Sequence, residues 1–586
     1  MTAGGARGCY PRRVIRVSST TDRPPTPPLE RTAFVVLWAT GPDTALDGLF
    51  KLEALKRSSP EAAWEHFETL CRPFEGSDAS ASARMAHEYG ITGPMLQGAP
   101  TAALAFAQLA DFVEDCTVLT SDSETFDAWW QAHAAERPQP ASIGVADVAA
   151  LFLPGRLALR REELVPDLAG GERRALTCEQ VRAALLALAE RIHALPQAVL
   201  HLAVHGLVAA WRGFAGPDER AAARLRLAIA VLDRPERWSG GGELPFAALK
   251  DGVLAGMARD DAALEDLIDA VQPRASDDAP RWRELQPVAP QPPDEGAAFH
   301  EEDMARLDDV FQVHLPRAFA AATNTDPRRA HRRTQHEVAR QVALTLGQRE
   351  LLLMHAPTGT GKTLAYLIPS MLWAARHNLR IGLATYTRAL QEQAWDKEVP
   401  RALGALRAAG VPALPRVAVL KGRENYACWR AIRHSPPEDE APEAWLAWTQ
   451  VALFALTDGD ADLDRLPTRA PLPLEDNETY AKTFESTLRS SRARPACCLR
   501  RVDKDACGAE LARLKAERSH VVIVNQAFAL SRQDFFRVLV FDECEYLHEQ
   551  AHSVWSRMLA LDDIPALLAR LRQPAAARRG KPRAVL

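Results

Sequence analysis

The chain has 586 residues, 47% of them hydrophobic and 25% charged, the balance of an ordinary globular protein and more than one hydrophobic core holds. Its formal net charge of −5 supplies no overall basic field for nucleic acid, and only ten of its 71 basic residues are lysine. No positively flanked apolar stretch opens the sequence. The most apolar stretch, Ala198 to Trp211, is broken by His201, His205 and Gly206 and is too short to span a bilayer. A cytoplasmic protein with no membrane partner is expected, and its nine cysteines are then not read as disulfides.

Residues 1–30 carry Gly, Arg, Ser and Thr with a proline run (Pro24, Pro25, Pro27, Pro28), the composition of a disordered tail. From Arg31 a globular pattern begins. Phe34 to Leu37 reads as a strand and Asp47 to Lys56 supplies the next. Ile91 to Pro100 is a loop leading into a helix from Ala102 to Val113, and Thr117 to Thr120 is a short strand ahead of Phe126-Asp127. A strand followed by Thr-Gly, the segment Ile-Thr-Gly-Pro-Met-Leu-Gln-Gly-Ala-Pro and the later Phe-Asp together resemble the DEDD-type 3′–5′ exonucleases. The resemblance implies a ribonuclease-H-like fold over 31–195, whose chemistry uses clustered carboxylates to hold two Mg²⁺ ions. The first Asp-x-Glu motif falls here on Val36-Leu37-Trp38, and neither Val nor Trp binds a hard cation. Asp127 matches the second-motif carboxylate. The third motif falls near Arg173 to Glu179 without its His and Asp. A degenerate, inactive domain is expected.

Residues 180–235 are rich in Ala and Leu, with Leu185, Leu188 and Ile192, then Val199 and Leu202, then Leu225, Ile229 and Leu232 at helical spacing. Residues 196–300 are expected as a helical connector ending in a linker, where Pro273 to Gly296 carries six prolines. His193, His201 and His205 have no Cys or carboxylate at ligand spacing and read as helix-face residues.

From residue 301 the pattern is that of an α/β motor. Arg332-Arg-Thr-Gln335 precedes a periodic helix from Val338 to Leu346. Leu351 to Met354 then reads as a strand, Ala356 to Gly361 as a turn of small residues, and Lys362-Thr363 opens an apolar helix. Strand, small-residue loop and helix form the setting of a phosphate-binding loop for ATP, although Ala356 stands where the strict motif has Gly. Backbone N–H groups around Thr358, Gly359, Thr360 and Gly361 can cradle phosphates, Lys362 can reach them, and Thr363 can ligate Mg²⁺. Further strands are expected at Arg380 to Thr385, Arg416 to Leu420, His520 to Val524 and Arg537 to Phe541. The last runs into Asp542-Glu543-Cys544-Glu545. Such alternation predicts a parallel sheet with the site at the strands' carboxyl ends. There Asp542 would position Mg²⁺ and Glu543 would take the proton of the attacking water.

The ordered segments Ala356–Thr363, Thr385–Gln393, Lys421–Cys428, Asn525–Phe528 and Asp542–Glu545 look like the DinG branch of the XPD-like, superfamily 2 helicases. The resemblance implies a RecA-like motor domain over 301–420 and 518–560, driving 5′→3′ movement on single-stranded or forked DNA. Gln335 would then contact adenine, and Thr385, Thr387, Arg388, Lys421 and Arg423 would contact the DNA backbone. The resemblance also implies a [4Fe–4S] cluster in an insert over 421–517, on Cys428, Cys497, Cys498 and Cys507. Adjacent Cys497 and Cys498 point to opposite sides of an extended chain, so the alternative is an insert of plain thiols.

Two features depart from that pattern. The family's acidic motif ends in Ala-His, and this chain has Cys544-Glu545. After Glu545 only about forty residues follow, without a Gln-x-x-Gly-Arg-x-x-Arg element, so 561–586 is expected to start a truncated region and a separate chain to supply the second motor domain. An incomplete helicase, an eroded nucleotide- and DNA-binding protein, and an active exonuclease remain open. Val36 and Trp38 disfavour the last.

Overall fold

The computed structural model describes residues 31–39, 48–59, 62–72, 90–155, 161–169, 176–233, 263–271, 279–290, 298–323, 332–348, 350–357, 359–438, 441–494, 507–532 and 534–556, with a few single positions between them. They divide into two compact units. The first gathers 1–279 and 423–511, and the second 280–422 and 512–586. The helices that matter below are, in chain order, α1 (Cys178–His193), α2 (Gln197–Phe214), α3 (Glu219–Asp233), α4 (Arg333–Gln348), α5 (Lys362–His377), α6 (Arg388–Gln393), α7 (Pro442–Thr457), α8 (Asn477–Ser491), α9 (Gln526–Ser531) and α10 (Leu547–Trp555).

The first unit is built on a mixed sheet of β1 (Thr32–Ala39), β2 (Leu49–Arg57), β3 (Glu65–Leu70), β4 (Thr117–Thr120) and β5 (Ser142–Gly144), in the order β3-β2-β1-β4-β5. β1 pairs antiparallel with β2 and parallel with β4, and β4 is parallel to β5. Val35 and Val36 make β1 a good strand, and alternation sends its side chains into two cores. Phe34 and Val36 enter one, while Ala33 and Val35 enter another with Phe106, Trp129 and Trp130.

The helices expected as a connector lie inside the first of these cores. α1, α2 and α3 share it with α7, a helix apolar on every side and buried from Trp445 to Leu456. Residues 423–511, expected as an insert of the motor half, thus take their hydrophobic support from the unit that holds α2. A Cβ on Gly206 of α2 would lie 2.0 Å from the Thr449 hydroxyl, so glycine is what lets the two helices approach. Among the described residues no single helix is long and apolar enough to cross a membrane, and α1 and α2 meet at a bend of 113°.

The second unit holds a parallel sheet of β6 (Ile381–Thr385), β7 (Val417–Val419), β8 (Val521–Asn525) and β9 (Val538–Phe541), in the order β7-β8-β6-β9. β6 and β8 are the central strands, and the four expected from sequence lie within about a residue of these bounds. The strand expected at Leu351 to Met354 does not form. Residues 350–357 have no ladder partner, and Leu351 and Leu353 are 96% and 82% exposed. Its run of three leucines and a methionine lacks the β-branched residues that favour a pleated surface, whereas Val521 to Val524 is almost wholly β-branched.

Candidate nucleotide site

The loop before α5 is turned by two glycines. Gly359 and Gly361 hold φ angles of +82° and +77°, a left-handed backbone that glycine adopts at little cost. Thr360 closes the turn, its hydroxyl donating to the Pro357 carbonyl at 2.8 Å. Thr358 lies outside the described residues. Gly361 caps α5, so the unpaired N–H groups and the positive end of that helix stand at Lys362 and Thr363.

Two side chains from the start of α4 grip this loop from behind. The Gln335 amide donates to the Gly361 carbonyl at 2.8 Å, and the Arg332 guanidinium donates to the Gly359 carbonyl at 3.1 Å. A Cβ on Gly361 would lie 2.2 Å from the Gln335 nitrogen, so glycine is required by contact as well as by φ. Gln335, expected to read adenine, thus spends its amide N–H on the loop itself.

Asp542 follows β9 and is fixed on every side. Its N–H donates to the Ala384 carbonyl at 2.9 Å, which continues the β6–β9 pairing by one residue. One carboxylate oxygen accepts from the Tyr366 hydroxyl at 2.9 Å and the other from the Glu543 N–H at 3.1 Å. The fully buried Gln526 donates to the carbonyls of Asp542 and Glu543 at 2.7 and 3.2 Å. Glu543 itself sits at φ +53°, a conformation that costs a non-glycine residue energy and so needs such clamps. Burial, then the charges of Asp542 and Glu545, push the Glu543 carboxyl above its ordinary value, with Lys362 opposing them. The lysine of the loop therefore acts on the charge of Glu543. A raised carboxyl suits a proton acceptor.

The residues expected to touch DNA divide into buried or paired ones and exposed ones. Thr385 is buried and its hydroxyl bonds backbone carbonyls of Thr387 and Val524 at 3.2 and 3.5 Å. The Thr387 hydroxyl caps α6, accepting from the Leu390 N–H at 3.2 Å. Lys421 is 4% exposed and paired with Glu392 at 3.1 Å, and Arg423 is paired with Glu510 at 2.6 Å. Arg388 is exposed. Next to it Tyr386 stacks on Tyr546, ring centroids 4.3 Å apart and planes at 16°.

No family model matches the chain. It is 33% identical over 239 residues to the ATP-dependent helicase DinG of Mycobacterium tuberculosis (strain ATCC 25618 / H37Rv), covering 38% of this chain and 35% of that protein. Against the ATP-dependent DNA helicase YoaA of Escherichia coli (strain K12) it is 28% identical over 252 residues, 39% of this chain and 35% of the relative. Over these stretches the chain is similar to DinG-type helicases. It spans about a third of the length of these two relatives. It is also 28% identical over 224 residues to a protein named 3′-5′ exonuclease DinG from Bacillus subtilis (strain 168), 37% of this chain and 22% of the relative.

Of the four cysteines expected to hold a cluster, Cys428 and Cys507 are among the described residues. Cys428 is buried and its N–H donates to the Ser491 carbonyl at 2.8 Å, Cys507 is half-buried, and Cys497 and Cys498 lie outside the described residues. Among the described residues no three His, Cys, Asp or Glu side chains gather to hold a metal.

In the first unit, the residues aligned with an exonuclease site are otherwise engaged. The Trp38 indole N–H donates to the Leu176 carbonyl at 2.9 Å, and the Lys51 ammonium lies 4.3 Å above the Trp38 ring while pairing with Glu68 at 2.6 Å. Asp127 accepts from Gln139 at 2.6 Å and Ser142 at 3.1 Å, and forms an ion pair with the buried Arg224 of α3. Sequence reading missed Arg332, Tyr366, Gln526 and Arg224. Tyr366 alone left a trace, standing one helical turn after the Lys-Thr pair.

Proposed function

We propose that the second unit is the first, RecA-like motor domain of a DinG-type helicase, over 301–420 and 518–560, which binds ATP with Mg²⁺ and couples its hydrolysis to 5′→3′ movement on single-stranded or forked DNA in the cytoplasm. The observation that carries this reading is the joining of phosphate loop and acidic pair. Asp542 is held by a hydroxyl of α5, and Lys362 acts on the charge of Glu543. The donor set suits Mg²⁺, which takes one or two protein oxygens and completes its shell with phosphate and water. Thr363 and Asp542 would hold it, and when bound it neutralises charge on the phosphoryl group being transferred. Loop N–H groups and Lys362 bind and orient the phosphates, and the Glu543 carboxylate accepts the proton of the attacking water. Transition-state arginines would come from a second motor domain, supplied in cis or by a partner chain.

The first unit is, on the same proposal, a ribonuclease-H-like domain over 31–195 without nuclease activity, supported by the Asp127–Arg224 pair and by Trp38. A [4Fe–4S] cluster on Cys428, Cys497, Cys498 and Cys507 belongs to the proposal through the order of its cysteines alone. A second reading, ATP binding without turnover, is favoured by residues 350–357, which stand outside the sheet. DNA-stimulated phosphate release by the purified chain separates the two, with Lys362→Ala as control. Release that rises with single-stranded DNA and vanishes in K362A supports the motor. Binding of ATP without release, with or without DNA, supports the second reading.

A further inference from the structure

Tyr366 stands three residues after Thr363 on α5, so the two side chains share one face of the helix. Its hydroxyl donates to Asp542 Oδ2 at 2.9 Å. The direction of this bond is forced, because an ionised carboxylate only accepts and the single phenol proton goes to it.

The consequence lies at Asp542. The phenol fixes one carboxylate oxygen with a neutral donor while the Glu543 N–H holds the other at 3.1 Å. We infer that Tyr366 is a positioning residue for the divalent cation, its hydroxyl tying the Asp542 carboxylate to the helix that carries Thr363. The inference rests on the ATP–Mg²⁺ reading of the loop. It assigns to the tyrosine a part in cation affinity, distinct from the packing of its ring against the core of α5.

The test is Tyr366→Phe in the intact chain, which keeps the ring and removes the hydroxyl. Binding of the fluorescent analogue mant-ATP is titrated against Mg²⁺, and separately in EDTA, with a thermal melt of each protein without metal. Removing a group that orients a metal ligand typically costs about 10–100-fold in metal affinity. The half-saturating Mg²⁺ concentration is therefore expected to rise about tenfold or more in Y366F, while mant-ATP binding in EDTA stays within about twofold of wild type. A Y366F protein whose melting shifts while its Mg²⁺ dependence matches wild type overturns the inference alone. Wild-type chain that fails to bind mant-ATP at any Mg²⁺ concentration overturns the nucleotide reading, and the inference with it.

Discussion

Asp127 in the first unit and Asp542 in the second are both well supplied with hydrogen bonds, and they are opposite in electrostatic condition. Asp127 is ion-paired with a guanidinium that is itself buried, and its remaining capacity is taken by Gln139 and Ser142. Asp542 is held by a phenol, a backbone N–H and, through its own main chain, by Gln526 and Ala384, none of which carries charge. Neutral donors fix a carboxylate without cancelling it, and a fixed cation cancels it. On the proposed reading, the same residue type is kept ready for Mg²⁺ in one unit and closed to it in the other. Beside Asp542, Glu543 feels the charge of Lys362 from the phosphate loop.

The sharpest way to break this comparison is at Glu543. Replacing a general base costs typically about 10²–10⁴-fold in rate, so Glu543→Gln should lose DNA-stimulated phosphate release by that factor while still binding mant-ATP. An unchanged rate would remove the proton acceptor from the account.

In the first unit the expected effect is on stability. Arg224→Ala leaves the half-buried Asp127 carboxylate without its partner, which costs up to about 3 kcal/mol by urea denaturation, and the variant should show no exonuclease activity. A stable R224A protein would mean that Asp127 was never committed to the pair. A comparable or smaller loss is expected at Gln526→Leu, where two main-chain carbonyls lose a buried donor. About 1–3 kcal/mol of stability should go, together with several-fold in phosphate release, because the Glu543 conformation is no longer clamped.

The smallest effects follow pH. Burial, helped by a neighbouring positive charge, holds His205 and His520 down to about 4, against an ordinary 6.5. The unfolded chain takes up those protons first, so each histidine contributes stability that is full above about 6.5 and lost as pH falls toward about 4. Glu543 has the opposite sign. Its folded value lies above 4.5, so its ionisation costs stability as pH rises through that folded value. E543Q should therefore melt above wild type near neutral pH and with it well below 4.5. Equal melting at both would place the Glu543 carboxyl in an unperturbed setting.

Much of the architecture was legible because it rests on local pattern. The β-branched runs at Val35-Val36 and Val521 to Val524 could hardly be other than strands, and the Gly-x-Gly-Lys-Thr turn dictates its own backbone. What escaped was fixed by long-range packing. Nothing local shows that α7 packs between α2 and α8, since an all-round buried helix states only that it is buried, not where. Arg224 lies 97 residues from Asp127 and Tyr366 lies 176 from Asp542, so neither pairing has a spacing to read. Leu351 to Met354 failed for a different reason, because apolar periodicity alone does not separate a strand from other apolar segments.

The central claim is that one aspartate is open to a divalent cation and the other is not. Mn²⁺ in place of Mg²⁺ makes this visible by electron paramagnetic resonance, titrated into the intact chain with ATP. Asp127→Asn should bind Mn²⁺ with ATP as wild type does, and Asp542→Ala should lose that binding. Retention of bound Mn²⁺ by D542A, or its loss in D127N, would contradict the account.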